Sequence, residues 1–142
     1  MNNRVRGAIK AALGTLQLRS KDPGKRLTAA AEVFRNKDLA VLPAIAGLIE
    51  KEQDASVRQA LIDTQAALVV ASAKSSKSDK LAAVEVLKAR GKQDALVALR
   101  PAINSEDPDV GKAARGAVAE IERWVAVTAN VQNVWYGLSL GS

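Results

Sequence analysis

The sequence of 142 residues predicts an all-α protein with about seven helices. Apolar residues recur at spacings of three and four along most of the chain, which is the period of an amphipathic helix. Aromatic residues make up only 3% of the chain and alanine is abundant, a composition that favours closely packed helices over a β-sandwich. Part of the helical pattern also occurs twice, which indicates an internal duplication.

Capping signals divide the first half of the chain into four predicted helices. A leading helix has an apolar face that ends at Leu16. The second helix opens at Asp22, an N-cap followed by proline at the first helical position. Asp38 is predicted to cap the third helix, with Pro43 close to its first turn, and Asp54 is predicted to cap the fourth.

The second half gives three more helices after a Ser/Lys-rich loop at residues 72–79. Asp79 is predicted to cap the fifth helix, which ends at Gly91. Asp94 is predicted to cap the sixth, where Pro101 should produce a kink. The seventh helix opens at Asp107-Pro108.

The seventh helix repeats the fourth at an offset of 53 residues. Five inward positions of the fourth helix correspond to five of the seventh, the last pair being Ala71 and Trp124. We therefore expect a leading helix followed by two three-helix units, at about residues 21–74 and 75–128, and we expect Trp124 in the core. Residues 1–129 would form one domain, and residues 130–142 would form a tail.

Charge is concentrated at the amino-terminal end, where residues 1–37 hold nine basic and two acidic residues. The whole chain has a net charge of +6, so the remainder is close to neutral. Basic residues in this segment could bind a polyanion or an acidic protein surface. The other interpretation is a solvated helix face, since no aromatic residue is interleaved to stack on bases. The candidate partner surface consists of Arg4, Arg6, Lys10, Lys25 and Arg26.

The carboxyl-terminal end has the opposite character, because no charged residue follows Arg123. Tryptophan and tyrosine in this segment are residue types that favour membrane–water interfaces. We therefore predict that the tail leads into a transmembrane helix that this chain does not contain. The membrane-boundary residues would be Trp135, Tyr136, Leu138 and Leu140. An isolated domain could instead shelter this tail in a homodimer, as an effect of its isolation.

The composition argues against catalysis and cofactor binding. Cysteine and histidine are both absent, which removes thiol nucleophiles, Ser-His pairs and most zinc or haem sites. The acidic clusters at Glu106, Asp107 and Asp109, and at Glu50, Glu52 and Asp54, are better explained as helix termini than as a calcium site. We expect no enzyme activity, metal or cofactor.

The repeat resembles bacterial HEAT-like repeats. The resemblance rests on DLAVLPAI at residues 38–45 and DASVRQAL at 54–61, with DPDV recurring at 107–110. It implies an α-α superhelix in which residues 1–129 form a HEAT-like domain. HEAT-like arrays mostly serve as protein-binding scaffolds.

A narrower resemblance covers essentially the whole chain. The stretches NNRVR at residues 2–6, DKLAAV at 79–84, IERW at 121–124 and QNVWYGLSLGS at 132–142 are similar to the extracytoplasmic domain of urea ABC transporter permeases, of the branched-chain amino-acid class. This resemblance implies a periplasmic position at the inner membrane. It also implies, as partners, a soluble urea-binding protein, a second permease subunit and separate ATPase subunits.

Two functions therefore stay open. The first is a non-catalytic protein-interaction domain of a permease for urea or a related small amide. The second is a free-standing HEAT-like adaptor that binds nucleic acid or an acidic protein through its basic amino-terminal helices.

Overall fold

The computed structural model describes the backbone of residues 15–141 and the side chains of residues 15–128. The described part is helical and contains no strand, which confirms the all-α prediction. A helical turn at residues 15–18 ends the leading segment, and a 3-10 helix, Leu39–Val41, follows the first long helix. The six α-helices are α1 (Pro23–Asn36), α2 (Leu42–Lys51), α3 (Ala55–Ala71), α4 (Lys77–Arg90), α5 (Gln93–Ile103) and α6 (Pro108–Gly141).

The helices form two groups of three that pack in corresponding ways. In the first group α1 and α2 pack on α3, and in the second α4 and α5 pack on α6. Helices α4 and α6 run in the same direction, because Lys77 pairs with Asp109 near their starts and Lys88 pairs with Glu120 further along. Helices α4 and α5 also pack on α3, so α3 joins the two groups. The HEAT-like superhelix stays a prediction.

The central helix α3 is buried along most of its length. Leu61, Thr64 and Leu68 are almost completely buried, and the Thr64 hydroxyl donates to the carbonyl oxygens of Ala60 and Ala30 at 2.7 Å and 3.1 Å. One apolar cluster joins α3 to the helical turn, α1 and α2, and a second joins it to α4, α5 and α6. The side chains of α3 therefore contribute to both halves of the core.

Most of the predicted helix boundaries are confirmed. Asp22 caps α1 through a 2.9 Å hydrogen bond from the Gly24 amide, and Asp54 caps α3 through a 3.0 Å bond from the Val57 amide. Asp107 accepts the amide hydrogen bonds at the start of α6. Each of these carboxylates satisfies amide groups that have no partner within the helix.

Three predicted caps are different in the structure. Ser76 rather than Asp79 caps α4, since the Ser76 hydroxyl accepts from the Asp79 amide at 3.1 Å. Asp94 lies inside the first turn of α5, where Lys92 holds the N-cap position, and the Asp94 carboxylate binds the Arg90 guanidinium. Asp38 caps the 3-10 helix that precedes α2. In each case a carboxylate lies near the start of the predicted helix, but it is not the N-cap of that helix.

The duplication predicts the buried face of α6 correctly at four of five positions. Val110, Ala114, Ala117 and Ile121 are all buried. The prediction was wrong at the fifth position, because Trp124 is 65% exposed. Helix α4 ends at Arg90 while its parallel neighbour α6 continues, so no residue of α4 remains to cover the indole. The prediction that Leu16 lies on the apolar face of the leading helix was also wrong, because Leu16 is 67% exposed. The helical turn ends at Leu18, and Leu18 is the residue that enters the core.

Helix α6 has 34 residues, a length of about 51 Å at 1.5 Å per residue. Its buried positions end at Ile121, and Val125 is only partly buried. The helical backbone continues without a break to Gly141, so the predicted boundary at residue 129 does not coincide with a helix end. No described helix is both long enough and apolar enough to span a membrane.

Two glycines should respond to alanine in opposite directions. Gly91 ends α4 in the left-handed region with φ +65°, so Gly91→Ala should cost about 1 kcal/mol of folding free energy. Gly116 lies within α6 with open space around its Cα, so Gly116→Ala should contribute about 0.5–1 kcal/mol. Urea denaturation of both variants checks the pair. Equal shifts in the same direction would contradict the backbone assignment.

Candidate interaction surface

The structure describes two of the five basic residues of the predicted partner surface, Lys25 and Arg26. Arg4, Arg6 and Lys10 lie outside the described residues. Lys25 is exposed on the first turn of α1, and it lines a cleft of about 740 Å³ together with the exposed Leu16. The acidic Asp22 and Glu32 line the same cleft, so it combines charges of both signs with an apolar side chain, which suits contact with another protein.

Arg26 faces a different environment, because its guanidinium binds Glu52. The two side chains form a two-pronged ion pair with N–O distances of 2.8 Å and 2.9 Å. The third guanidinium nitrogen donates to the carbonyl oxygen of Ser20 at 2.8 Å. Arg26 therefore connects the leading segment, α1 and the turn before α3, and its charge is matched within the protein.

Glu52 is a buried carboxylate that organises the turn between α2 and α3. It also accepts the amide N–H of Asp54 at 3.1 Å, and the guanidinium of Arg58 donates to its carbonyl oxygen. The hydrogen bonds from Arg26 hold the pKa of Glu52 below its ordinary value of 4.5, against the opposing effect of burial. This carboxylate consequently stabilises the fold in its charged form.

The lowered pKa of Glu52 predicts a loss of stability in acid. The contribution of the ion pair is complete above the ordinary value of 4.5 and disappears as the pH falls through the lower pKa of the folded state. Urea denaturation at several pH values below 5 should therefore show that acid lowers the free energy of unfolding less in Glu52→Gln than in the original chain. The matched control is Glu50→Gln on the exposed face of α2. An unchanged pH slope in Glu52→Gln would contradict the assignment.

A second charged cluster joins the two groups of helices. The Arg90 guanidinium donates to Asp94 at 2.7 Å and 2.6 Å and to Asp63 at 2.7 Å. Gln59 donates to the other oxygen of Asp63 at 2.9 Å, and the Arg90 guanidinium carbon lies 4.7 Å from the centre of the Phe34 ring. The hydrogen bonds from Arg90 lower the pKa of Asp94. This join cluster (Phe34, Gln59, Asp63, Arg90 and Asp94) connects α1, α3, α4 and α5.

Sequence reasoning did not identify the join cluster. Two signals were present in the sequence. Asp63 is the one acidic residue of α3, and Arg90 and Asp94 are four residues apart on either side of Gly91. A carboxylate on a helix that is mostly buried requires hydrogen-bond donors or a cationic partner. The partner itself could not be chosen without the packing of α3 on α4.

An apolar cleft of about 730 Å³ lies between the end of α4 and the outer part of α6. Ile121 and Val125 form part of its floor, and Trp124 contributes its exposed indole. Lys88 lies at the rim, where it pairs with Glu85 at 3.1 Å and Glu120 at 3.6 Å. Here too, a large apolar side chain is open to solvent beside charged residues.

The predicted membrane-boundary residues lie on the last turns of α6. The helical backbone passes through Trp135, Tyr136, Leu138 and Leu140, while their side chains are outside the described part. The structure therefore places these four residues on a continuation of a packed helix. Their predicted contact with a membrane stays a prediction.

The acidic groups near the start of α6 have structural partners. Asp107 accepts backbone amides, and Asp109 binds Lys77 at 2.5 Å. Among the described residues, no group of three acidic side chains has the arrangement of a metal site. Asp107 and Asp109 thus support the start of α6 and its packing on α4.

The described side chains provide open clefts with apolar and charged linings, and the buried carboxylates of Glu52 and Asp63 are engaged in ion pairs. This arrangement is suited to contact with another macromolecule. No family model, curated protein or solved structure matches this chain.

Proposed function

We propose that this chain is a non-catalytic extracytoplasmic domain of an ABC transporter permease for urea or a related small amide. It would act on the periplasmic side of the inner membrane as a protein-interaction module. The partners would be the soluble urea-binding protein or a second permease subunit, with ATPase subunits acting through the membrane-spanning part. The proposal starts from the sequence resemblance, and one structural observation supports it.

That observation is the continuity of α6. The helix begins at Asp107-Pro108, packs against α4 and α5 as far as Val125, and continues to Gly141. No charged residue follows Arg123, so one unbroken helix connects the folded domain to a segment with the composition of a membrane interface. A continuous helix would hold the domain in a fixed orientation relative to that segment.

The cleft beside Lys25 is the better candidate for the contact with the binding protein. Lys25 and Leu16 are exposed there, and the neighbouring Arg26 is engaged with Glu52. Because Arg26 is paired with Glu52, one of the five predicted cations is not available for contact with a nucleic acid. This weakens the alternative of a nucleic-acid adaptor, which depends on several unmatched cations.

The test is a titration of the immobilised full chain with the soluble urea-binding protein, with and without saturating urea. We expect a micromolar Kd that Lys25→Glu weakens by about 10-fold, because the substitution reverses a charge at the contact. The matched control is Lys112→Glu on the exposed side of α6, which makes the same charge change elsewhere.

Two results would contradict the proposal. One is the absence of binding at about 100 µM binding protein in either condition. The other is tight binding of a short DNA duplex whose affinity falls steeply with salt, since a strong salt dependence is characteristic of phosphate contacts. The second result would favour the adaptor.

A further inference from the structure

Helix α6 has a second apolar side, separate from its core face. The core face ends at Ile121, whereas Trp124 is 65% and Val127 is 48% exposed. In the sequence the same alternation of three and four residues continues at Val131, Val134 and Leu138, and the backbone is helical through all of these positions. This spacing is typical of the seam between two paired helices. We call these five positions the Trp124 stripe.

The stacking of a third group of helices does not explain this stripe. Helix α3 uses Ala67 and Val70, both buried, to pack against the second group. The residues 53 positions later are Glu120 and Arg123, and both are exposed on α6. Charged residues on this face are typical of the terminal unit of a helical array. A partner at the outer end of α6 must therefore use a different face.

The absence of charge along the stripe identifies the kind of partner. From Trp124 to Ser142 the chain has no charged residue, so a charged helix placed against this segment would bury ionic groups without counter-charges. The positions that flank the stripe include Thr128, Asn130 and Gly137, and they lack the charges that select a different partner helix. A second copy of α6 has the same apolar positions and no charged residue over the same length, and it meets both conditions.

We infer that two copies of this chain pair through the Trp124 stripe. A seam of this length buries on the order of 1,000 Å² in total, which is the low end of the range for specific interfaces. The dimer is therefore weak and reversible, with a Kd in the micromolar range. The inference rests on α6 alone and holds whether or not the chain belongs to a permease.

The test is sedimentation equilibrium of the full chain over a range of concentrations. We expect a reversible dimer in which Val127→Glu raises the dissociation constant by at least about 10-fold. The matched control is Ala126→Glu, which places the same charge on the neighbouring exposed position of α6, off the stripe. Circular dichroism of both variants checks that they fold.

A second measurement does not depend on how Val127→Glu folds. In a Trp135→Phe variant the remaining tryptophan is Trp124, and its fluorescence should shift to shorter wavelength as the concentration passes the dissociation constant. A chain that is monomeric up to about 500 µM would overturn the inference, as would equal weakening by Val127→Glu and Ala126→Glu. A monomer that binds vesicles of phosphatidylethanolamine and phosphatidylglycerol would assign the stripe to a membrane instead.

Discussion

Leu61→Ala is expected to lower the free energy of unfolding by about 2–4 kcal/mol. Leu61 is 1% exposed at the middle of α3, where it packs in one cluster with Leu18, Ile45, Val57 and Leu68. The substitution takes apolar surface out of the core and leaves a cavity within this cluster. Because α3 is held from several sides, the neighbouring helices cannot all move inward to fill the cavity.

The matched control is Leu39→Ala, which deletes the same atoms from a side chain that is 43% exposed in the 3-10 helix. We expect the control to cost less than about 1 kcal/mol. Urea denaturation, with circular dichroism as the signal, measures both variants. Comparable losses in Leu61→Ala and Leu39→Ala would show that α3 is not the centre of the core.

Asp63→Ala should lower the free energy of unfolding by about 2–3 kcal/mol. The Asp63 carboxylate is 4% exposed and accepts hydrogen bonds from Arg90 and Gln59. Its loss leaves one guanidinium N–H and one amide N–H without an acceptor between α3 and α4. The cost is smaller than for a fully buried pair, because Arg90 keeps its two bonds to Asp94.

The control for Asp63→Ala is a change at Asp94, the second carboxylate that accepts hydrogen bonds from the Arg90 guanidinium. Asp94 is 45% exposed in its side chain, and exposed ion pairs contribute little in water, so Asp94→Ala should cost less than about 1 kcal/mol. A double variant, Asp63→Ala with Asp94→Ala, should cost more than the sum of the two, since Arg90 then has no carboxylate partner. Equal single losses would contradict the assignment of Asp63 as the stabilising partner.

Local signals predicted the helices well because they depend on neighbouring residues. The Asp22-Pro23 and Asp107-Pro108 starts and the Gly91 end are confirmed, and each depends on backbone chemistry within one turn. Ser76 was missed because several serines in the same loop have equal capping chemistry. The sequence alone does not show which of them meets the first free amide.

The less successful predictions involved long-range contacts. Trp124 continues the helical spacing of the α6 core face, yet it is exposed because α4 ends before it. Lys25 and Arg26 are adjacent cations in the sequence, but only Arg26 binds Glu52, which lies 26 residues further along the chain. Partners at such distances depend on how helices pack, which a periodic pattern does not specify.

The central position of α3 has a consequence for amide hydrogen exchange. Since α3 packs on α1, α2, α4 and α5, its amides can meet solvent only when both halves of the core open together. The amides of α3 should therefore exchange most slowly, at the rate set by global unfolding. Below the dissociation constant of the inferred dimer, the amides of α6 beyond Val125 lack that protection and should exchange through local fraying. In the full chain, the exchange rates along α6 should thus increase from one end of the helix to the other.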